Sequence, residues 1–237
     1  IRSKGFDLNG IWVPWYNLHK LFVGLLDAYD LVGNQLAAKV VWKLGDWTVD
    51  LLKDLPEDKW QAMLACEHGG MNDALARLYE VSKSEPHLEV ARRFDHHTVL
   101  DRLASNTDCL PGLHGNTQIP KVLGAARLYK ITGEERYRKI AENFFWQVVD
   151  GHTYAIGGNT SGEYFGPRKQ LSRRLTMSTA ETCNTYNMIR LAHSISDWDK
   201  SSLIDDYIER ALWNHILPSQ DPETGMFCYF VSLHPGH

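Results

Sequence analysis

Histidines, carboxylates, amides and aromatic rings gather in four short stretches of this 237-residue chain. They are Trp12-Val13-Pro14-Trp15-Tyr16-Asn17-Leu18-His19, Glu67-His68-Gly69-Gly70-Met71-Asn72-Asp73, Leu113-His114-Gly115-Asn116-Thr117-Gln118 and Glu181-Thr182-Cys183-Asn184-Thr185-Tyr186-Asn187. Donors and acceptors beside flat apolar rings suit the hydroxyls and C–H faces of a sugar, and the scarcity of lysine favours a neutral polyol over an anion. His19, His68, His114, Gln118 and Tyr186 are the candidate substrate-binding residues. Asn, Thr and Asp also cap helices, which accounts equally well for Asn72, Asn116 and Thr185 taken one at a time. Capping alone does not call for histidine and aromatic partners.

Two further groups could do covalent or metal chemistry. Glu163, in Gly162-Glu163-Tyr164-Phe165, lies in a long glycine-containing connection over 150–177, and connections of that length are usually functional or disordered. A carboxyl beside two rings, in apolar surroundings, can keep its proton near neutrality, as a general acid must, although a solvated loop glutamate is an equally weighted reading. Glu181 and Cys183 are two apart. On a regular helix they would diverge by about 200°, so they can share one ion only if the segment is extended or just entering a helix. Zinc takes about four ligands, and one Glu-x-Cys is weak evidence for it.

The elements that must position these groups are helices. Apolar residues recur at helical spacing over 18–31, 36–52, 74–81, 88–94, 119–131 and 137–149. Three of these helices carry the same ending, Ala28-Tyr29-Asp30-Leu31, Leu78-Tyr79-Glu80-Val81 and Leu128-Tyr129-Lys130-Ile131, so the marker tyrosines are 50 residues apart. A divergent fourth copy runs over 185–196 and 201–217, with Ala192 at the marker position. Stacked helical hairpins of this length fit an α/α toroid, in which first helices line the inside and second helices the outside. His68, Gln118 and Glu181 each lie 11 residues before their markers, and His19 lies 10 before Tyr29. That is close to three helical turns, so all four should meet at one mouth, around a single cavity shared with Cys183 and reached over by Glu163. From Asp221 the pattern changes to a turn and an expected strand over 226–231, dividing the chain into a partial toroid over 1–220 and the start of a β-rich segment over 221–237.

Composition narrows the partners. With 43% hydrophobic and 23% charged residues, the chain is globular rather than disordered. Its 25 basic and 29 acidic residues give a net charge of −4 with no long basic run, so nucleic acid is not expected as a partner. No apolar run approaches the roughly 18 residues of a membrane span, and the compartment stays open. The cysteines at 66, 109, 183 and 228 form no CxxC pair and read as reduced thiols.

The strings WVPWYNLHK, EHGGMNDALARLY, HGNTQIPK, HTYAIGGN, GEYF, AETCNTYNM and NHILPSQDPETGMF, spread over nearly the whole chain, resemble the bacterial β-L-arabinofuranosidases of glycoside hydrolase families 127 and 146. The resemblance implies a six-hairpin α/α toroid followed by β-sandwich domains, and a retaining exo-glycosidase that releases L-arabinofuranose from β-linked plant glycans. It implies Glu163 as general acid/base and Glu181 and Cys183 as two ligands of a Cys₃Glu zinc site. The nucleophile it implies is a zinc-held cysteine from a Cys-Cys pair, a pair this sequence lacks. That pair and two further zinc ligands are expected beyond His237, so the 237 residues alone are expected to bind zinc weakly, to be inactive, and to leave apolar surface exposed around Leu212, Trp213 and Phe230. Cys66 and Cys228 match no ligand and are expected to pack. Two other readings remain open: a toroid glycosidase or lyase working with carboxylates alone, pairing Glu163 with Glu67 or Glu181, and a toroid that binds carbohydrate without chemistry.

Overall fold

The computed structural model of the protein describes residues 1–234. The hydropathy pattern resolves into paired helices: α1 (Pro14–Val32) with α2 (Gln35–Leu52), α4 (Met71–Ser82) with α5 (Glu85–Arg93), α7 (Gly115–Thr132) with α8 (Glu135–Gly151), and α9 (Thr182–Ile195) with α10 (Ser202–Ala211). Each first helix packs on its own partner and on the first helix of the next copy, so α1, α4, α7 and α9 form one layer with the second helices behind it. The fold is all-α, an arc of the α/α toroid. Between the layers lies a continuous core that includes Phe22, Leu26, Leu75, Leu78, Phe144 and Phe145, all fully buried.

Two helices were not foreseen, α3 (Glu57–Leu64) and α6 (His97–Ala104). Each spans eight residues, too short for periodicity to register, yet α3 buries Trp60, Met63 and Leu64. The chain also opens with three antiparallel two-residue strands, β1 (Ser3–Lys4), β2 (Asp7–Leu8) and β3 (Ile11–Trp12). Glu67 N–H donates to Gly5 O at 2.7 Å, which fastens this small sheet beside the start of α4.

The repeat explains how the inner helices hold together. Gly33 and Gly133 close α1 and α7 in the left-handed region at φ 67° and 72°, as expected, whereas Lys83 takes that conformation in the second copy. Two residues before the markers stand Asp27, Arg77, Arg127 and Arg190. Arg77 reaches back from α4 to Asp27 (2.6 Å) and Asp30 (2.5 Å) of α1, and Arg127 reaches back from α7 to Asp73 (2.5 Å) and Glu80 (2.6 Å) of α4. In the next copy, Lys130 of α7 stands where Asp30 and Glu80 stood, so Arg190 of α9 meets no acid there and approaches Asp73 only to 3.9 Å.

The end of the described chain differs from expectation. α10 stops at Ala211, and Leu212–Ile216 winds as a π-turn where the fourth second helix was expected to continue to Leu217. No regular strand forms over 226–231 among the described residues; isolated bridges Gln220↔Phe227 and Glu181↔Phe230 stand in its place. The expected β-rich segment extends to residues 235–237, which lie outside the described residues. Leu212 and Trp213 are exposed, as are Leu31 and Val32, but Phe230 is half-buried because its backbone bridges Glu181.

Candidate active site

Stretches of extended backbone lie edge to edge at the N-terminal ends of the inner helices. Segment 112–115 pairs with 163–165 through Gly112 N to Phe165 O and Phe165 N to Leu113 O, each 2.9 Å, and Gly115 N to Glu163 O at 2.8 Å. Segment 160–162 pairs in turn with 178–180 (Gly162 N to Ser178 O, 2.8 Å), and 178–180 with 229–231 (Val231 N to Ala180 O, 3.1 Å). This stitching is what the long connection over 150–177 is for: it carries Glu163 back to His114 and to Tyr229. The turn is held in a strained form, with Glu163 at φ 71° and Ala180 at φ 60°. Non-glycine residues there cost about 1–3 kcal/mol each and persist where surrounding structure imposes them.

The Glu163 carboxyl bonds His114 Nε2 at 3.1 Å and receives the Tyr229 hydroxyl at 2.7 Å. Its side chain is 32% exposed. The two rings beside it in sequence do not enclose it: Phe165 turns inward against Phe144 and His152, and Tyr164 stands edge-on to His114. Glu163 therefore sits among polar partners at the rim, not in the apolar pocket its neighbours suggested.

Tyr229 also lies 2.6 Å from Glu181 Oε1, so one phenol bridges two carboxyls. A phenol has one proton; its second carboxyl contact is satisfied when that carboxyl carries a proton of its own. Burial, and then the contacts with Glu181 and Glu163, hold the Tyr229 phenol well above its ordinary range. Glu181 is the N-cap residue of α9, with extended backbone and no capping bond from its side chain. It is thus free to meet Cys183, whose thiol donates to Glu181 Oε1 at 2.6 Å. Burial, followed by that bond, pushes the thiol up to about 12. Glu181 Oε2 is buried without a partner. A soft sulfur beside an unused carboxylate oxygen fits half of a tetrahedral zinc set. No third histidine, cysteine or carboxylate joins them among the described residues.

His114 links this centre to a cleft of about 210 Å³, open to solvent, with Phe6 and Tyr164 on its walls and Glu67, His96, Gln118 and Lys121 among its polar lining. Burial holds the Glu67 carboxyl up at about 7, with Lys121 pulling the other way. Burial lowers the Lys121 ammonium to about 8, and burial followed by the charge of Lys121 lowers His96 to about 3. Lys121, His96 and Tyr229 were not singled out by sequence reasoning. A lysine on a helix reads as solvated, and nothing in a one-dimensional pattern marks it as 3% exposed.

The predicted substrate-binding residues do not all face this cleft. His114 and Gln118 line it. Gln118, however, is spent internally: its amide donates to Thr117 Oγ1 and His114 O, and its oxygen accepts from Lys121. His68 lies behind the lining, fully buried beside Phe94 and His96, its Nδ1 3.2 Å from Cys66 O. His19 accepts from Gly70 N–H at 3.2 Å, and burial followed by the charge of Lys20 lowers it to about 4. Tyr186 is exposed beneath the Arg190 guanidinium. The expected single cavity is therefore two adjoining places, the Glu163–Tyr229–Glu181–Cys183 centre and the cleft. Asn116 and Thr185 do not cap: Asn116 accepts from Asn187 and the Thr185 hydroxyl has no partner, whereas Asn72 accepts the first-turn Asp73 N–H at 3.0 Å while donating to Lys121 O.

Comparison with known proteins places this arrangement. The catalytic-domain model described as "Beta-L-arabinofuranosidase, GH127 catalytic domain" matches residues 2–237. Among solved structures, the chain resembles a GH127 β-arabinofuranosidase (TM-score 0.69, 19% identity, 92% of this chain and 36% of that one). It also resembles Ara127N, a GH127 β-L-arabinofuranosidase from Geobacillus stearothermophilus T6 (TM-score 0.73, 17% identity, 92% and 39%). The GH76A α-1,6-mannanase of Salegentibacter shares the fold at 15% identity (TM-score 0.61, 90% and 63%). The chain thus spans well under half the length of the two family 127 structures. No curated protein matches it in sequence.

Proposed function

Because the chain belongs to the GH127 β-L-arabinofuranosidase catalytic-domain family, we propose that it forms part of a retaining exo-glycosidase releasing L-arabinofuranose from β-linked glycans. The observation that carries this reading is the bridging phenol: Tyr229 joins Glu163, the carboxyl open to solvent, to Glu181, which holds the Cys183 thiol. Glu163 is the general acid/base, giving its proton to the leaving glycosidic oxygen and then taking one from the water that releases the sugar. His114 and Tyr229 fix its two oxygens, so the proton is presented from one direction.

Glu181 and Cys183 would hold zinc, which when bound supplies a stabilised thiolate; the remaining donors and the thiolate nucleophile are not among the residues described above. The partial toroid ends near residue 220. An arabinose-containing oligosaccharide is the partner; among the described residues no helix is long and apolar enough to cross a membrane.

The test is Glu163→Gln in the complete enzyme. The amide keeps size and hydrogen bonding but carries no transferable proton, so turnover of an arabinoside with a poor leaving group should fall about 10²- to 10⁴-fold while zinc content is unchanged. An aryl arabinoside, which needs less protonation, should lose far less. Near-normal turnover of the poor-leaving-group substrate would refute the role.

A further inference from the structure

Lys121 is buried and makes no direct ion pair, the charge of Glu67, which lines the same cleft, acting on it from beyond ion-pairing distance. Its ammonium donates to Gln118 Oε1 at 3.0 Å and to His96 Nδ1 at 3.1 Å, and among the described residues no carboxylate comes within ion-pairing distance of it. An ammonium has three protons, and two are placed by these neutral acceptors. It lines the cleft beside His114, whose other side holds Glu163. A buried charge is costly unless its hydrogen bonds are completed, and Lys121, with acceptors for two of its three protons, lines the cleft.

From this geometry we infer that Lys121 is a substrate-contacting residue, its third N–H donating to a hydroxyl oxygen of the sugar held in the cleft. The inference rests on the glycosidase reading above and assigns it a specificity determinant. Gln118, which the sequence pattern favoured for that contact, orients the lysine instead, because all its polar hydrogens and its oxygen are already engaged. Two walls of the cleft are the Phe6 and Tyr164 rings, which leaves the hydroxyl edge of a furanose to meet the polar floor.

The experiment compares binding of methyl β-L-arabinofuranoside to the complete enzyme, unmodified and carrying Lys121→Met, by calorimetry. Methionine keeps the unbranched stem and removes a buried charge but leaves Gln118 Oε1 and His96 Nδ1 without their donor, so circular dichroism first checks that the variant is folded. The variant should bind the sugar at least tenfold more weakly, and Lys121→Arg should recover part of the loss. On the unmodified enzyme labelled with ¹⁵N-lysine, the Lys121 Nζ signal should shift and its hydrogens should exchange more slowly when sugar is added. If Lys121→Met binds within twofold of the unmodified enzyme, or the Nζ signal is indifferent to saturating sugar, the assignment is overturned while the glycosidase reading stands. If the unmodified complete enzyme binds no arabinofuranoside at all, both fall.

Discussion

Gly69 tests how the mouth of the arc is built. It lies at φ +57°, and a Cβ there would come within 2.4 Å of His19 Nδ1, the atom that accepts from Gly70 N–H. Gly133, which closes α7 at φ +72°, has open space at the same position. Replacing either by alanine forces an L-residue into the left-handed region, at about 1–2 kcal/mol. Gly69→Ala must also push a buried imidazole away and leave a buried N–H unpaired, adding about 1–3 kcal/mol. For a chain of this size a kcal/mol moves the melting temperature by about 2–4 °C, so Gly133→Ala should lower it by about 2–8 °C and Gly69→Ala by about 4–20 °C. Thermal unfolding followed by circular dichroism measures both. The clash should disappear in Gly69→Ala/His19→Ala, making that pair markedly less destabilised than the sum of its single changes. Equal losses for the two glycine variants, or strict additivity in the double variant, would show that His19 does not depend on the missing side chain at Gly69.

Two further outcomes follow from the charges. Removing Arg127 strands Asp73, which is 10% exposed and has only Arg190 at 3.9 Å in reserve, so Arg127→Met should cost about 3–5 kcal/mol in urea unfolding, whereas Arg77→Met, whose partners are solvent-exposed, should cost about 0–1 kcal/mol. Glu67 has its folded pKa raised from 4.5 to about 7, so the folded state binds the extra proton in that window and the carboxyl destabilises the fold once pH exceeds both values. Glu67→Gln should therefore stabilise the chain at pH 8 by something of order 3 kcal/mol, a gain that shrinks as pH falls through 7 and vanishes near 4.5; an equal gain at pH 4.5 and pH 8 would contradict it.

What the sequence disclosed was periodic, and what it concealed was tertiary. Tyr29, Tyr79 and Tyr129 mark a repeat because stacking identical hairpins demands identical spacing, so the inner layer could be laid out from one dimension. Helices of two turns, such as α3 and α6, carry too few positions to show a period. The acid/base candidate was findable from its glycine-flanked loop, but not its environment: the rings of Tyr164 and Phe165 point away because segment 163–165 pairs with 112–115, a pairing between residues about 50 apart. Glu181 and Cys183 meet because Glu181 is extended before α9 begins, one of two arrangements the spacing allowed. Lys121 was hidden by its type, and Tyr229 by a stretch that resembled an ordinary strand.

The repeat also accounts for why the chemistry can sit where it does. Arg77 and Arg127 fasten neighbouring inner helices two residues before the markers, about two and a half turns from the mouth positions. Helix cohesion is therefore supplied by the apolar core and by arginine–carboxylate pairs, of which only Arg127–Asp73 reaches the N-terminal ends. The groups at those ends need not serve as structural ion pairs: Glu181 keeps a buried oxygen unused, Glu163 answers only to a phenol and an imidazole, and Lys121 keeps a donor in hand. Divergence in the fourth copy follows the same division. Once Lys130 replaces the acid, Arg190 is released from the ladder, and α9 is held instead by its core residues and by Asn187 on Asn116, next to the end that carries the thiol. A copy freed from the ladder's register can place Glu181 and Cys183 against Tyr229, which none of the three regular copies does.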